Sequence, residues 1–276
     1  MTPPDLASTA ISLNVVPART GIAWVKLGIK TFFKQPLALG GLFFLNFALL
    51  QLLNLIPAIG FVLAFGLIPA FNAGMFVAVK LVEINKVPNP TTLFVAFKQS
   101  KEATKAIILL GAFYLVAYAV LITLFNLIYT DPSNAPLILE GKLNGKVFGN
   151  SDFQTASLLV LFLQLPIGML FWHAPALVHW HNVPPFKALF FSWMACFRNL
   201  PAMVIYVFCW IGVFILGGLV LSMLALLTDS ITIVSFITPA IALLIIAMFF
   251  TSIYFTFKDS FITPTSSSDP SSPSTP

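Results

Sequence analysis

The chain contains long apolar runs that carry no charged side chain. No Asp, Glu, Lys or Arg occurs between Lys34 and Lys80, between Lys105 and Asp131, between Asp152 and Lys187, between Arg198 and Asp229, or between Asp229 and Lys258. A helix needs about 20 apolar residues to cross the hydrocarbon core of a bilayer, whereas a run of about 10 to 14 suits a buried helix of a soluble protein. The runs therefore predict membrane-spanning helices.

The composition excludes a soluble globular domain. Of the 276 residues, 59% are hydrophobic and 8% are charged, whereas a typical soluble domain has about 25% charged residues. The formal net charge is +5, but the basic residues flank the apolar runs and do not form the continuous basic face that follows a phosphate backbone. Nucleic acid is therefore not an expected partner.

We predict an all-α, polytopic helical membrane protein with six transmembrane helices. The spans are expected at about 36–55, 58–79, 106–129, 155–178, 201–227 and 231–257. Residues 1–17 are expected to form a flexible tail, and residues 18–260 the membrane domain, with a periplasmic loop at about 130–154. Residues 261–276 are rich in Ser, Pro and Thr, so they are expected to be disordered.

Three short amphipathic helices are predicted on the cytoplasmic face. The first covers 21–34, where Val25, Ile29, Phe32 and Phe33 form an apolar stripe and Lys26, Lys30 and Lys34 form a basic one. Trp24 suits the aromatic belt of a membrane interface.

The second and third amphipathic helices precede later spans. The second lies within 80–105, with Leu93, Phe94 and Phe97 as its apolar face, and Lys98, Lys101, Glu102 and Lys105 as its polar face. The third has the most regular helical spacing in the chain, in Phe186, Leu189, Phe190, Trp193, Met194 and Phe197. A helix that is too short to span and apolar on one side is expected to lie flat at the membrane surface.

The distribution of basic residues predicts the orientation. Of the 14 Lys and Arg residues, all but Lys142 and Lys146 lie on the side of the amino terminus in the six-span arrangement. By the positive-inside rule, both termini are cytoplasmic and the protein is a multi-pass protein of the bacterial inner membrane. The expected partners are the lipid bilayer, with anionic lipid at the cytoplasmic face, and other membrane proteins.

An internal repeat is suggested by the order of elements. The pattern of amphipathic helix, span, turn and span occurs three times. A shift of 97 residues places Phe65 on Phe162, Pro69 on Pro166, Asn85 on Asn182, and Pro88 on Pro185. A duplicated helix-pair unit explains these matches, although chains of apolar helices also resemble themselves by chance.

His173, His179 and His181 form the one cluster in the sequence with metal-binding chemistry. His179 and His181 diverge by about 200° on a helix, so they cannot chelate one ion together there. We interpret them as interfacial histidines at the cytoplasmic end of span four, with a pH-responsive or metal-binding role as the alternative. No metal, cofactor-binding or catalytic residue is assigned, and no cofactor is expected.

Polar and helix-breaking residues inside the spans raise the possibility of a transport pathway. The prolines are Pro69, Pro166, Pro175 and Pro239, and the amides are Asn46, Gln51, Asn54, Asn72, Asn126 and Gln164. Ordinary kinks and interhelical hydrogen bonds explain them, and so does a polar path. No charged residue lies within the spans to relay protons, which disfavours ion-coupled transport.

The opening helix carries Gly21-x-x-Trp24-x-x-x-Gly28 followed by Phe32-Phe33 and Pro36. With the six-span layout, this resembles a family of uncharacterised proteobacterial inner-membrane proteins, whose opening reads close to Gly-Trp-x-Trp. Ile22 replaces the first Trp here. The resemblance implies a location and a fold but supplies no catalytic residue. We expect a non-enzymatic protein of envelope upkeep, or of lipid or partner interaction, with a small transporter or channel for a neutral or lipid-like solute as the alternative.

Overall fold

The computed structural model describes residues 11–130, 145–228 and 231–262, and these are almost entirely helical. The elements in chain order are β1 (Ser12–Leu13), α1 (Thr20–Lys34), α2 (Pro36–Asn54), α3 (Gly60–Glu83), a 3-10 helix (Pro90–Phe97), α4 (Lys101–Ile128), α5 (Gly145–Phe148), α6 (Ser151–Trp172), α7 (Ala174–His181), α8 (Pro185–Arg198), α9 (Leu200–Thr228), α10 (Ile231–Ser260) and β2 (Phe261–Ile262).

Six candidate spans are confirmed among the described residues. Helices long and apolar enough to cross a membrane cover Pro36–Asn54, Gly60–Glu83, Lys101–Ile128, Ser151–His181, Leu200–Thr228 and Val234–Ser260. Several run past their predicted ends because helices continue into flanking polar residues where a cap is available. Ser100 caps α4 by accepting a hydrogen bond from the backbone N–H of Ala103, and Asn150 caps α6 in the same way at Phe153.

The chain forms two compact units. The first contains the residues up to Phe32 together with those from Phe197 onwards, and the second is Phe33–Cys196. In the second unit, α3 is the central helix, because 56% of its apolar window is buried, against 22% in α2. It packs against α2, α4, α7 and the 3-10 helix.

Glycines set the closest helix approaches in the second unit. A Cβ on Gly111 of α4 would collide with the carbonyl oxygen of Gly66 in α3, and a Cβ on Gly74 would lie 2.7 Å from Cα of Leu93 in the 3-10 helix. Backbones can approach this closely only where side chains are absent. These glycines therefore fix α3 against both α4 and the 3-10 helix.

In the first unit, α1 packs against α9 and α10. A Cβ on Gly21 would collide with the carbonyl oxygen of Ala202, and one on Gly28 with the side chain of Ser252. The strands β1 and β2 pair in antiparallel fashion, with Ser12 opposite Ile262. The pairing brings the two ends of the described chain together.

Two short segments of the predicted tails form strands. Ser12–Leu13 and Phe261–Ile262 were assigned to a flexible tail and a disordered tail, yet they form strands. Each strand is too short to be stable alone and gains its backbone partners from the other, which is a long-range contact that local composition does not show. The rest of both tails, residues 1–10 and 263–276, and most of the predicted loop, residues 131–144, lie outside the described residues.

The second amphipathic helix differs from the prediction. It is the 3-10 helix Pro90–Phe97, and its buried residues are Thr92, Leu93 and Ala96, while Phe94 is exposed. The predicted polar face lies elsewhere, because Lys101 already begins α4. The backbone of this 3-10 helix lies directly against Gly74 of α3. We attribute its conformation to this close contact.

The internal repeat has local structural counterparts. Asn85 and Asn182 both adopt left-handed backbone conformations just after a spanning helix, with φ of 59° and 50°, a conformation that Asn tolerates better than most residues. Pro69 and Pro166 both lie inside long helices. In each case a short amphipathic element follows the asparagine and packs back on the span before it.

Candidate functional site

The fourth candidate span is broken at His173, between α6 and α7. Pro175 lacks a backbone N–H, and its ring clashes with the helical carbonyl four residues earlier, which weakens the hydrogen-bond ladder at this point. Here the helix breaks. In contrast, α3, α6 and α10 continue through Pro69, Pro166 and Pro239.

Ser192 of α8 bridges this break. Its hydroxyl accepts a hydrogen bond from the backbone N–H of His173 at 2.9 Å and donates to the carbonyl oxygen of Met169 at 2.7 Å. In an unbroken helix those two backbone groups would bond to each other. The completely buried hydroxyl thus satisfies both groups that the break leaves open.

Cys196 and His173 lie beside this bridge. Cys196 Sγ is 3.8 Å from His173 Nδ1 and 3.9 Å from the carbonyl oxygen of Met169, and both residues are buried. Burial raises the pKa of the Cys196 thiol to about 12. The thiol is therefore protonated at neutral pH and is a weak nucleophile, which favours a packing role.

The other two predicted histidines lie at the end of α7, in a different environment from His173. His179 is buried, its carbonyl accepts from Gln99 Nε2 at 3.0 Å, and its Nδ1 has no hydrogen-bond partner. His181 is half-buried. Trp180, between them in the sequence, makes a T-shaped ring contact with Phe76, and the Lys80 ammonium lies 4.9 Å from the centre of the Trp180 ring. In the described ranges no three His, Cys, Asp or Glu residues form a group that could hold a metal ion, and the absence of a metal site stays a prediction.

A second buried polar cluster joins α1, α9 and α10 in the first unit. Trp24 was expected in the aromatic belt, but it is fully buried and its Nε1 donates to Asp259 at 2.8 Å. A nearby carboxylate therefore satisfies its polar atom and allows the ring to enter the core. The Ser252 hydroxyl lies 2.6 Å from the hydroxyl of Tyr206 and accepts from Trp210 Nε1 at 3.1 Å.

Asn199 holds the amino-terminal segment in the same unit. Its side-chain oxygen accepts from the backbone N–H of Val16 at 2.8 Å, and its Nδ2 donates to the carbonyl oxygen of Asn14 at 2.9 Å. Asn14 in turn donates to the carbonyl oxygen of Asp259 at 2.8 Å. In both units, buried polar side chains are thus used mainly to satisfy backbone groups and to fix helix ends.

The amides in the spans occupy different environments. Gln164 donates to the Tyr118 hydroxyl at 2.7 Å, and Asn46 is buried with its Oδ1 unpaired. Asn72 is half-buried, whereas the amides near helix ends are exposed, namely Gln51, Asn54 and Asn126. Interhelical hydrogen bonding accounts for Gln164 but not for Asn46.

Helix α8 has three separate faces. Its buried face consists mainly of small residues, namely Pro185, Ala188, Ser192, Ala195 and Cys196. Of the predicted stripe, Phe186, Phe190 and Phe197 are 77%, 50% and 53% exposed, whereas Leu189, Trp193 and Met194 are half-buried. Lys187 and Arg198 occupy a third, basic edge and are also exposed. Apolar residues at these exposures require a lipid or protein cover.

Helix α1 has the same three faces. Its buried face includes Gly21, Trp24, Val25, Gly28, Thr31 and Phe32, so the predicted apolar stripe is divided between core and surface. An apolar edge of Ile22, Ile29 and Phe33 is exposed or half-buried, and the exposed Ala23 and Leu27 lie beside the lysines. The lysine row, Lys26, Lys30 and Lys34, lies roughly opposite the buried face and is exposed.

The faces follow one another in the same rotational order in both helices. At about 100° per residue, the apolar edge of α1 lies about 120° from the centre of its buried face, and the lysine row about 200°. The corresponding angles for α8 are about 150° and 240° in the same direction. The order of the three faces around the helix axis is therefore the same in α1 and α8.

Sequence reasoning missed the small-residue face of α8 and therefore Ser192 and Cys196. The large aromatic residues of α8 do not identify its buried face, because side chains that face lipid are as apolar as those in the core. The available signal was the opposite face, where Ala188, Ser192 and Ala195 recur at spacings of four and three residues. In membrane proteins small residues, rather than large ones, mark close helix contacts.

Six candidate spans, short surface helices and glycine-mediated packing define a polytopic helical membrane protein. The chain is 33% identical over 259 residues to a probable inner membrane protein of Burkholderia thailandensis, and the match covers 91% of this chain and 94% of that protein. The chain belongs to the same family as this inner membrane protein, which confirms the predicted resemblance. No family model matches the chain, and no solved structure matches it.

Proposed function

We propose that this integral membrane protein is non-enzymatic and acts through its surface helices at the cytoplasmic leaflet of the inner membrane, in envelope upkeep or in lipid or partner-protein binding. Both termini are cytoplasmic in this proposal. The observation that carries it is the shared three-face pattern of α1 and α8, each with a buried, an apolar and a basic side. Such a pattern suits a helix lying in the plane of the interface.

The polar clusters support a non-enzymatic role. Ser192 bonds to backbone groups on both sides of a helix break, and Asn199 holds the amino-terminal segment. These groups are engaged in holding the fold. The raised pKa of Cys196 also removes the best nucleophile of α8 from chemistry at neutral pH.

Site-directed spin labelling of α8 tests the interfacial position. Labels replacing Phe190 and Phe197 are expected to collide more often with lipid-soluble oxygen than with a water-soluble nickel chelate, because these positions face the acyl chains. Labels replacing Lys187 and Arg198 are expected to show the reverse. Phe197 and Arg198 are adjacent and about 100° apart, so each is a matched control for the other. Equal accessibility in both pairs would contradict the proposal.

A small transporter or channel for a neutral or lipid-like solute is the second candidate. It is favoured by the unpaired Oδ1 of the buried Asn46 in α2, because a buried amide oxygen without a hydrogen-bond donor is energetically costly unless it has a function, such as contacting a solute. Osmotic swelling of proteoliposomes in small neutral solutes tests this candidate. Swelling that is lost in Asn46→Leu would favour transport over the non-enzymatic binding role.

A further inference from the structure

We infer that α1 is a binding site for the headgroups of anionic phospholipids. The phosphates lie along the lysine row, Lys26, Lys30 and Lys34, and the acyl chains lie against the apolar edge, Ile22, Ile29 and Phe33. The inference rests on the interfacial position proposed above and names the partner of that surface.

The helix is held rigidly with its lysine row outwards. Gly21 and Gly28 let its backbone approach Ala202 and Ser252 so closely that no Cβ fits at either position. Between them, Trp24 is fully buried and bonded to Asp259. Rotation of α1 about its axis would break these contacts, so the lysine row is preorganised for a partner and ordering the helix adds little cost on binding.

The lysine row has the charge and spacing for several phosphates. Successive lysines are four residues apart, which places their Cα atoms about 6 Å apart along the helix axis and the outer two about 12 Å apart. The sequence of α1 contains no acidic residue. Each lysine is exposed, and an ammonium on a flexible stem can reach up to the phosphate level of a leaflet.

The apolar edge points to a lipid and not to a free anion. Phe33 is 63% exposed and Ile22 is 42% exposed, and both are next to the lysine row on the helix surface. A soluble phosphate would neutralise the lysines but leave these side chains in water. An anionic phospholipid satisfies both surfaces, since its phosphate and its acyl chains are covalently joined.

Lipid titration of the purified, full-length protein in detergent, followed by native mass spectrometry, tests the inference. Cardiolipin and phosphatidylglycerol are expected to bind the unaltered protein, and phosphatidylethanolamine to bind much more weakly. The triple variant Lys26→Gln, Lys30→Gln, Lys34→Gln is expected to lose affinity for the anionic lipids by about 10- to 100-fold, because each basic residue near an anionic surface adds to binding. The charge-preserving triple Lys→Arg variant is expected to retain affinity.

Four further measurements make the result decisive. A Lys142→Gln, Lys146→Gln variant lowers the net charge at the two basic residues that the predicted topology places on the opposite side of the membrane, and it is expected to bind lipid normally. Competition by millimolar inorganic phosphate would instead indicate a soluble anion, and would overturn the inference, as would undiminished cardiolipin binding in the triple Gln variant. Thermal unfolding checks that each variant is folded, and the oxygen and nickel accessibilities of α8 labels are measured separately. Failure of lipid binding is therefore distinguishable from failure of the interfacial position.

Discussion

The hydroxyl of Ser192 serves two backbone groups of a neighbouring helix at once. It takes the place of one helical hydrogen bond at the break before Pro175, between His173 and Met169. A buried backbone group without a partner costs about 1–3 kcal/mol. The break in span four is therefore tolerated because α8 supplies the missing donor and acceptor.

Ser192→Ala is expected to destabilise the protein by about 2–4 kcal/mol, since it leaves both the His173 N–H and the Met169 carbonyl unpaired. Thermal unfolding in detergent measures the change. Ser222→Ala is the matched control, because the Ser222 hydroxyl is exposed and bonds only to Gly218 in its own helix. Equal effects of the two substitutions would show that the bridge contributes nothing.

The Cys196 thiol is expected to be nearly inert in the folded protein. With burial raising its pKa to about 12, the thiolate is a minor species at pH 8, so alkylation is slow and increases with every unit of pH up to that value. Iodoacetamide labelling between pH 7 and 10 in a Cys209→Ser variant measures this. A plateau near pH 9, as for an exposed thiol with a pKa of about 8.5, would contradict the assignment. The pKa of this thiol is higher in the folded than in the unfolded protein. Its contribution to stability is therefore fully present below the unfolded pKa of about 8.5 and is lost as the pH rises towards the folded pKa.

At the scale of elements, each short amphipathic element docks on a spanning helix through small residues or close backbone contacts. Gly28 of α1 meets Ser252, Gly74 of α3 meets the 3-10 helix, and Ser192 of α8 meets the break between α6 and α7. Dispersion and hydrogen bonds, rather than the hydrophobic effect, hold helices together where lipid surrounds them. Close approach is therefore the main determinant of which helices pair.

Gly111→Ala tests this view for α3 and α4. The new Cβ would collide with the carbonyl oxygen of Gly66, and forcing these helices apart is expected to cost about 1–3 kcal/mol. Gly212→Ala is the control, because nothing lies within 4 Å of its Cβ position. That substitution is expected to be neutral or stabilising by up to about 1 kcal/mol through helix propensity. Unfolding midpoints that fall equally for both would argue against packing as the cause.

At the scale of the whole molecule, an even number of spans is consistent with the pairing of β1 and β2. Six spans return the chain to its starting side, and β1 pairs with β2. In the predicted six-span arrangement, twelve of the 14 Lys and Arg residues lie on that side. By the positive-inside rule we predict that this side is cytoplasmic.

Reporter fusions after Lys86 and after Gly145 are expected to give opposite signals, with Lys86 in the cytoplasm and Gly145 outside it. Two candidate spans precede Lys86, and three precede Gly145. A cytoplasm-active and a periplasm-active reporter are compared at each point. Matching signals at both positions would contradict the six-span orientation.

Much of the architecture follows from the sequence, since a bilayer imposes a length of about 20 apolar residues on each span. The same reasoning located α1 and α8 from their helical spacing, but it interpreted Pro175 as an ordinary kink, and the structure shows a break there. It placed Trp24 at the surface, because an indole with an apolar body and a polar N–H suits an interface. Trp24 can be buried because its Nε1 donates a hydrogen bond to Asp259, 235 residues away in the chain.

The sequence by itself determined the class of protein, the number of spans and the positions of α1 and α8, because hydropathy and charge act locally along the chain. The tertiary structure alone decided which face of each surface helix is buried. In a membrane protein, large apolar side chains are similarly stable in lipid and in the core, so hydrophobicity does not distinguish the lipid-facing side of a helix from its buried side. Gly28 at Ser252 and Ser192 at Met169 settle the question through close approach and hydrogen bonds between residues distant in sequence.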